Sequence, residues 1–506
     1  MKKFNIFIKL FLLGALTCAS FTGCETLDED PKGAVTAATY YADPLSLEAG
    51  VIGIYGTMHR ASWGVDILAA YTGADDLTSH DQGNKWVFLE GDQFNKTGGN
   101  QRTIGIWNGY FQAIHAANAF IENANPEGVE EDVLNKFKAD AHFVRALLYF
   151  RLTTIFGDIP MPIDPVPDFE MTKTSSREVI AQVISDLEFT EQWAVNERDS
   201  NTDMQDGHSS KTAAKAFLAK AYMQLTGYPY NEADKWTQVK KYTKEIIDAG
   251  VYGLMEDYIH NFAQPWEGNK ELIFSHQFDK QPWPILTQGR WYGFFWRDWM
   301  DMYIEWDFYD NYPEGYRKAA TMSSTNEFAL AWEHPVLTKL TYGTINGTPE
   351  FEHVWQTSND MPAMRYAEVL LMYAEACANT GENAEAIEAL NKVKRRAYAK
   401  GSTTSEEVAL LPEGYWAVPD PAIDYTAADL NTPEKIIDAI VKERSYEFVA
   451  EVGGNRWLDL VRLEKVAEAN QDRSRELPIL GDPSDKSTWY APIPETEIDL
   501  NPNLGQ

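Results

Sequence analysis

Residues Leu370 to Val393 read LLMYAEACANTGENAEAIEALNKV. Alanines and large apolar residues recur at three- and four-residue spacing on both sides of Thr380-Gly381, a pattern that predicts two helices joined by a glycine turn. The same device occurs earlier, where KTAAKAFLAKAYMQLTG (Lys211 to Gly227) is followed by WTQVKKYTKEIIDAG (Trp236 to Gly250). Small residues let paired helices approach closely and large ones fill the groove between neighbours, which is how tetratricopeptide-type pairs stack. Generic alanine-rich pairing would leave the same local mark. With either, the frame is mainly α.

Outward from these hairpins the helical period continues. It runs over Leu45 to Met58, Ile106 to Ile121, Val133 to Phe156 and Arg177 to Trp193, and resumes at Arg365 to Asn379, Ala384 to Ala397, Pro433 to Val452 and Trp457 to Ala467. Between the two blocks lies a less periodic region, Val251 to Gln356, with one strand predicted at Glu271 to Gln277. Within it, Trp283 to Tyr312 holds twelve aromatic residues, where average composition predicts about four. Pro282, Pro284, Gly289, Gly293 and Pro313 interrupt the run, so it reads as an irregular, aromatic-rich insertion over residues 280–315 on one side of the helical frame.

The chain has 506 residues, with 44 Lys+Arg against 76 Asp+Glu. Hydrophobic content of 44% and aromatic content of 13% exclude a solvated coil. No excess of cations is available to displace counterions from phosphates, so nucleic acid is excluded as a general partner. Residues 1–23 have a basic start and an apolar stretch, and polar sequence follows at once. This is an export signal rather than a membrane span. Its removal takes three lysines and no acid, leaving the mature chain more acidic still. Phe21-Thr22-Gly23-Cys24 resembles a bacterial lipobox, which makes Cys24 the expected acylation site; the alternative is an ordinary secretory peptide with Cys24 incidental. Residues 24–39 form an acidic tether, 40–250 an N-terminal helical region and 251–506 a C-terminal region. With Cys18 removed and Cys24 acylated, only Cys377 remains. No disulfide is then available, and Cys377 reads as a small buried hydrophobe.

Several segments together resemble the SusD/RagB family of outer-membrane nutrient-binding lipoproteins of Bacteroidetes. They are Cys24 to Pro31 (CETLDEDP), Ala141 to Pro162 (AHFVRALLYFRLTTIFGDIPMP), Met364 to Ala376 (MRYAEVLLMYAEA), Glu443 to Leu463 (ERSYEFVAEVGGNRWLDLVRL) and Ala491 to Gln506 (APIPETEIDLNPNLGQ). They occur in the family's order and span the whole chain after the signal. The resemblance implies a superhelix of four tetratricopeptide-like pairs with an irregular ligand-facing side. It also implies a lid-like partnership with a SusC-like TonB-dependent transporter, attachment to the outer membrane through an N-terminal lipid, exposure at the cell surface, and binding without catalysis.

The recurring motifs read as framework. Glu443, Glu447 and Glu451 are four apart and repel one another on a helical face unless cations intervene. Arg444, Arg456 and Arg462 are the nearby candidates. Arg145, Arg365, Trp457 and Asp459 belong to the same framework, and Gly157 with Pro160 stops a helix. Asp199 to Asp203 has the opening spacing of a calcium loop, but Met204 replaces its turn glycine and Ser210 its terminal glutamate. No paired zinc spacing, phosphate loop or nucleophile elbow appears, and no metal or cofactor is expected.

Flat aromatic faces suit a sugar, whose ring has an apolar C–H side and a rim of hydroxyls. Trp283, Trp291, Tyr292, Trp296 and Trp299 are the leading ligand-binding candidates, because one helix face cannot bury so many rings; the bland alternative puts them in the core or an interface. Residues 75–86 (DDLTSHDQGNKW) form a polar loop with one aromatic, and Asp76, Asn84 and Trp86 are secondary candidates for reading hydroxyls. The expected activity is capture of oligosaccharide or polysaccharide for a SusC-like transporter. The competing readings are a binder of peptide or another nutrient, a glycoside hydrolase, and a scaffold without a small ligand. On the leading reading, Trp291→Ala or Trp296→Ala weakens retardation in polysaccharide-containing gels and leaves the thermal midpoint unchanged; a large loss of stability would put that ring in the core.

Overall fold

The long helices of the first block each start or stop at a residue whose side chain or backbone freedom suits a helix end. In the computed structural model, helix α1 (Pro44–Ala61) is preceded by Asp43, whose carboxylate accepts from the Ser46 N–H at 2.9 Å. After α2 (Trp86–Asp92), helix α3 (Gln101–Asn123) is capped by the Asn100 side chain. Helix α4 (Glu131–Phe156) ends at Gly157, whose φ of 75° favours a residue without Cβ. Helix α5 (Ser176–Trp193) begins with a Ser175/Glu178 capping box, and α6 (Lys211–Leu225) with the Ser210 hydroxyl, which accepts from Ala213 N–H. Helix α7 (Trp236–Ala249) closes at the left-handed Gly250. The structure describes residues 40–41, 43–61, 70–83, 85–196, 208–262, 266–277, 300–339, 360–398 and 423–506. The calcium-like stretch Asp199 to Asp203, Cys24 and Asn84 lie outside them, as do Trp283, Trp291, Tyr292, Trp296 and Trp299.

Residues Tyr41–Gln506 form one unit, and Met1–Tyr40, of which only Tyr40 is described, separates from it. In the larger unit consecutive helices pack on one another, α3 on α4, α4 on α5, α5 on α6 and α6 on α7. Helix α7 then packs on α11 (Tyr366–Asn379), which pairs with α12 (Asn383–Tyr398). Both hairpins expected from the alanine pattern therefore form, and they lie against each other. Their alanines do the predicted work: Ala214, Ala216, Ala219, Ala374 and Ala376 are fully buried. Gly227, at the first turn, meets the backbone of Arg462 so closely that a Cβ there would sit 2.2 Å from the Arg462 carbonyl oxygen. The mainly α, paired-helix expectation holds.

The intervening segment is built from short pieces: β3 (Tyr303–Ile304), α8 (Trp306–Asn311), α9 (Tyr316–Thr321), β4 (Met322–Ser323), α10 (Glu327–Trp332) and β5 (Val336–Leu337). Strand β2 (Leu272–His276), close to its predicted bounds, pairs antiparallel with β6 (Met361–Arg365) and brings Glu271 and Arg365 together.

Helix α13 (Pro433–Glu447) ends earlier than the periodicity predicts. The chain turns after Glu447, with Ala450 at φ 55°, so Glu443 and Glu447 share a helix and Glu451 lies beyond it. The cations that neutralise them also differ from those expected. Glu447 is met by Arg365, Arg396 and Arg317, Glu443 by Arg317, and Glu451 by Arg365 and Lys339. Arg444 and Arg462 instead share Asp459, and Arg456 pairs with Asp75. Sequence neighbours on the helix and turn point to other faces. Burial alone would raise the Glu447 carboxyl, but the guanidinium groups of Arg396, Arg365 and Arg317 hold it down to about 2. Cys377 is buried as expected, and that burial pushes its thiol up to about 11.

A second ionic clasp joins α1 to α4 and to the start of α6. His208 Nδ1 lies 2.9 Å from Asp140 Oδ2 and Nε2 lies 3.0 Å from Glu48 Oε1, while the Tyr55 hydroxyl donates to Asp140 Oδ1 at 2.8 Å. The hydrogen bond to Asp140 outweighs desolvation, and the charges of Asp140 and Glu48 add to it, so His208 titrates at about 9 rather than 6.5. A folded-state value above the unfolded one means that the clasp stabilises fully below pH 6.5 and that this contribution is lost as pH rises through about 9. Urea unfolding of the protein and of His208→Gln is therefore expected to show a stability gap that is widest at pH 6 and closes by pH 9.5. A gap that widens with pH would contradict the assignment.

Candidate functional site

Two stretches far apart in sequence, the 75–86 loop and the end of the aromatic-rich insertion, meet in the fold. Strand β1 (Leu77–Thr78) pairs antiparallel with β3, Leu77 opposite Ile304 and Thr78 opposite Tyr303. Glu305 N–H donates to the Asp76 carbonyl at 3.2 Å, and the Ser79 hydroxyl donates to the Asp301 carbonyl at 2.6 Å. Lys85 forms an ion pair with Asp301. His80 is fixed at both nitrogens: Gln82 N–H donates to Nδ1 at 3.2 Å, which leaves the proton on Nε2 to donate to the Met300 carbonyl at 2.7 Å. Burial lowers the His80 pKa, in keeping with the neutral tautomer that this geometry requires.

On this clip stands a line of rings. His80 lies 5.3 Å from Trp332 and 5.4 Å from Tyr303, and Tyr303 lies 4.9 Å from His334. His334 lies 5.6 Å from Trp306, which is 6.2 Å from Tyr309. Tyr303 is a buried keel at 3% exposure, while Trp332, His334, Trp306, Tyr309 and His80 are half-buried and keep part of each ring in water. Cations brace the far end, with Arg475 5.3 Å over the Trp306 ring and Lys318 4.4 Å over Tyr309. Glu476 fixes the middle: Oε1 accepts from Trp306 N–H at 2.8 Å, and Oε2 lies 3.0 Å from His334 Nε2.

Helix α8 carries Trp306 and Tyr309 on the ladder, and its residues Asp307, Phe308 and Asn311 line a hollow of about 640 Å³. Asp75, Lys442, Tyr446 and Arg456 line the same hollow. Several of its carboxylates are engaged. Asp75 is held by Arg456, Glu305 by Arg473, Asp307 by Arg475 and Asp438 by Lys465. Burial raises the Glu305 carboxyl well above the usual carboxylate range despite Arg473, and the ion-paired carboxylates of the wall can orient hydroxyl groups. Among the described residues no cluster of His, Cys, Asp and Glu is arranged to hold a metal ion.

The structure places the sequence candidates as follows. Trp86 opens α2 and is 45% exposed, directly after the Lys85 clamp. Asp76 is only 5% exposed, contrary to a surface role in reading hydroxyls. Its burial, with the neighbouring Asp75 charge, raises its carboxyl to about 7 against the pull of Arg456. Trp306 and Tyr309 sit in the aromatic run without having been singled out. Trp332, His80 and His334 carried no periodic signal. Trp332 and His334 reach the ladder because β4 pairs with β5 and Ile304 N–H donates to the Pro335 carbonyl at 3.0 Å, which folds them back beside Tyr303, and His80 reaches it through the β1–β3 clip.

A helical-pair frame carrying an aromatic ladder on an irregular face defines a class of binding protein, and the comparisons with known proteins specify it. The chain belongs to the SusD family, whose sequence pattern matches residues 198–506. A second pattern, described as starch-binding associating with outer membrane, matches residues 47–223. The chain is 26% identical to SusD-like protein P2 of Formosa agariphila over 100% of its own length and 99% of that protein's. Among solved structures, a SusD homolog from Bacteroides thetaiotaomicron superposes with a TM-score of 0.74 at 19% identity, covering 92% of this chain and 97% of that one. Surface glycan-binding protein A of the same organism, in complex with laminarihexaose, superposes with a TM-score of 0.70 at 19% identity, covering 90% and 97%. At these identities the superpositions establish the fold.

The clip is testable by itself. In Asp301→Ala, which removes the carboxylate that Lys85 grips across the clip, amide exchange at residues 77–80 and 301–304 is expected to quicken while α4 stays protected. Unchanged exchange in both stretches would mean that the ion pair does not hold the loop.

Proposed function

We propose that this protein captures oligosaccharides or polysaccharide on the ladder running from Trp332 through His80, Tyr303, His334 and Trp306 to Tyr309. That unbroken line of rings, with charged and amide side chains beside it, is the observation that carries the reading. A sugar ring laid on one such face removes roughly 100 Å² of apolar surface from water, worth about 2 to 3 kcal/mol before ordering costs. Two or three platforms bring affinity into the range of about micromolar to millimolar, suited to a capture step that must release its cargo. Trp283, Trp291, Tyr292, Trp296 and Trp299, which lie outside the described residues, are proposed as further ligand contacts on the aromatic excess of their stretch alone. Trp86, exposed next to the Lys85 clamp, is proposed as another. The protein binds its ligand without transforming it.

The wider role follows from the family. Acylation at Cys24 anchors the chain in the outer membrane, on the cell surface, with residues 24–39 as the tether. Captured glycan passes to a SusC-like TonB-dependent transporter, and many anchored copies add avidity for a polymer. The laminarihexaose complex of the Bacteroides thetaiotaomicron relative supports a glycan as the class of ligand.

Electrophoresis through gels containing individual polysaccharides tests the assignment. At least one polysaccharide is expected to retard the protein. Trp306→Ala and Trp332→Ala are each expected to weaken that retention by at least about tenfold, a loss of at least about 1.4 kcal/mol out of the gross contribution of one platform, at an unchanged thermal midpoint. Binding of peptides with no retardation by any glycan would overturn the assignment, as would release of reducing sugar.

A further inference from the structure

We propose that the groove between the 160–171 loop and the C-terminal segment is a docking surface for a partner protein presenting apolar side chains flanked by lysine or arginine. The groove encloses about 390 Å³ and shares no residue with the aromatic ladder; Trp107 and Phe111 of α3, Pro160 and Leu504 line it. On its rim Val166, Phe169 and Leu500 are 71%, 81% and 79% exposed. Large apolar side chains grouped in water around a concavity mark a contact surface.

The rim is rigid. At one end of the loop, buried Arg145, itself held by Asp186, donates to the Ile163 carbonyl at 3.2 Å. Buried Asn118 donates to the Pro162 and Asp164 carbonyls at 2.8 and 3.2 Å, and the Tyr149 hydroxyl to the Pro162 carbonyl at 2.5 Å. At the other end Asn501 and Asn503 donate to the Met171 and Glu170 carbonyls, each at 2.8 Å. Phe169 is thus held out in solvent by a loop pinned on both sides, a preorganised surface that loses little entropy when covered.

Charge selects the occupant. Asp164, Asp168 and Glu497 line the groove, and among the described residues no lysine or arginine does. A second copy of this acidic chain would set the same carboxylates against themselves, and an anionic lipid surface would be repelled in the same way. An apolar segment with basic flanks satisfies both the greasy rim and its carboxylates.

The test uses the full chain and a fluorescein-labelled amphipathic peptide of leucine and lysine, with its leucine and glutamate counterpart as control. Fluorescence anisotropy is expected to show saturable binding of the lysine peptide alone, weakened at least tenfold by Phe169→Asp or Leu500→Asp. The triple variant Asp164→Lys, Asp168→Lys, Glu497→Lys is expected to invert the preference. Circular dichroism is expected to be unchanged in every variant, since Asp164, Asp168, Phe169 and Leu500 are exposed and Glu497 is half-buried on the groove wall. Lysine-peptide binding indifferent to Phe169→Asp and Leu500→Asp would overturn the proposal, because attraction to general negative charge would then explain it. Concentration-dependent dimerisation abolished by Phe169→Asp would overturn it in favour of self-association, and uptake on phosphatidylcholine vesicles abolished by that substitution in favour of a lipid surface.

Discussion

The structure depends on a buried knot of opposite charges at the junction between the helical frame and the irregular face. Arg365 spans Glu271, Glu447 and Glu451; Arg396 joins Glu271 and Glu447; Arg317 joins Glu443 and Glu447. Lys339 closes the knot on Glu451 and donates to the Tyr258 hydroxyl at 3.2 Å. These groups are almost entirely out of water. Replacing such a cluster wholesale by apolar residues can be neutral, but removing one member strands a charge and costs about 3–5 kcal/mol. The knot's value lies in what it joins. Arg317 and Lys339 come from the irregular segment, Arg365 and Arg396 from the second helical block, and the glutamates from β2's entry, α13 and the turn after it.

From this junction the binding face is built outward. With Arg317 fixed, α9 is anchored against α13, where the Tyr312 hydroxyl donates to the Tyr446 carbonyl at 2.9 Å and the Tyr446 hydroxyl to the Asn311 carbonyl at 3.1 Å. That pair sets α8 and therefore Trp306. Arg473, hydrogen-bonded to Asp92 and ion-paired with Glu305, then ties α2 to the residue between β3 and α8. A segment with little regular hydrogen bonding of its own is thus held by side chains of the frame. Rings of the ladder can remain half-exposed because other groups supply the order that burial would otherwise have provided.

The frame was legible in the sequence because helical periodicity and capping chemistry are local. Lys211–Leu225 is found at its predicted bounds, and the 131–156, 176–193 and 383–398 helices within a few residues of theirs. The framework role of the Glu443–Glu447 pair was legible too, since like charges four apart require cations, and that of Arg145 and Arg365 through the recurring motifs that carry them. Which cations was not. Arg317, Arg365 and Arg396 arrive from segments 50 to 130 residues away, by chain paths that no spacing encodes. The site was half-legible for the same reason. The aromatic excess and the polar 75–86 loop marked two pieces, but only the β1–β3 pairing joins them, and only the β4–β5 pairing returns Trp332 and His334 to Tyr303. Asp76, an inviting polar residue in a loop, is buried next to the β1–β3 pairing, where its carbonyl accepts from the Glu305 N–H.

The central claim is that the buried charge knot orders the binding face rather than merely adding stability. Hydrogen exchange of the protein and of Glu447→Gln, read segment by segment alongside retention on a polysaccharide gel, tests it most directly. The account predicts that amides in residues 300–338 exchange at least about tenfold faster and that retention falls, while the 131–156 helix keeps its protection. Unaltered exchange in 300–338, or a uniform loss of protection across the whole chain, would contradict it.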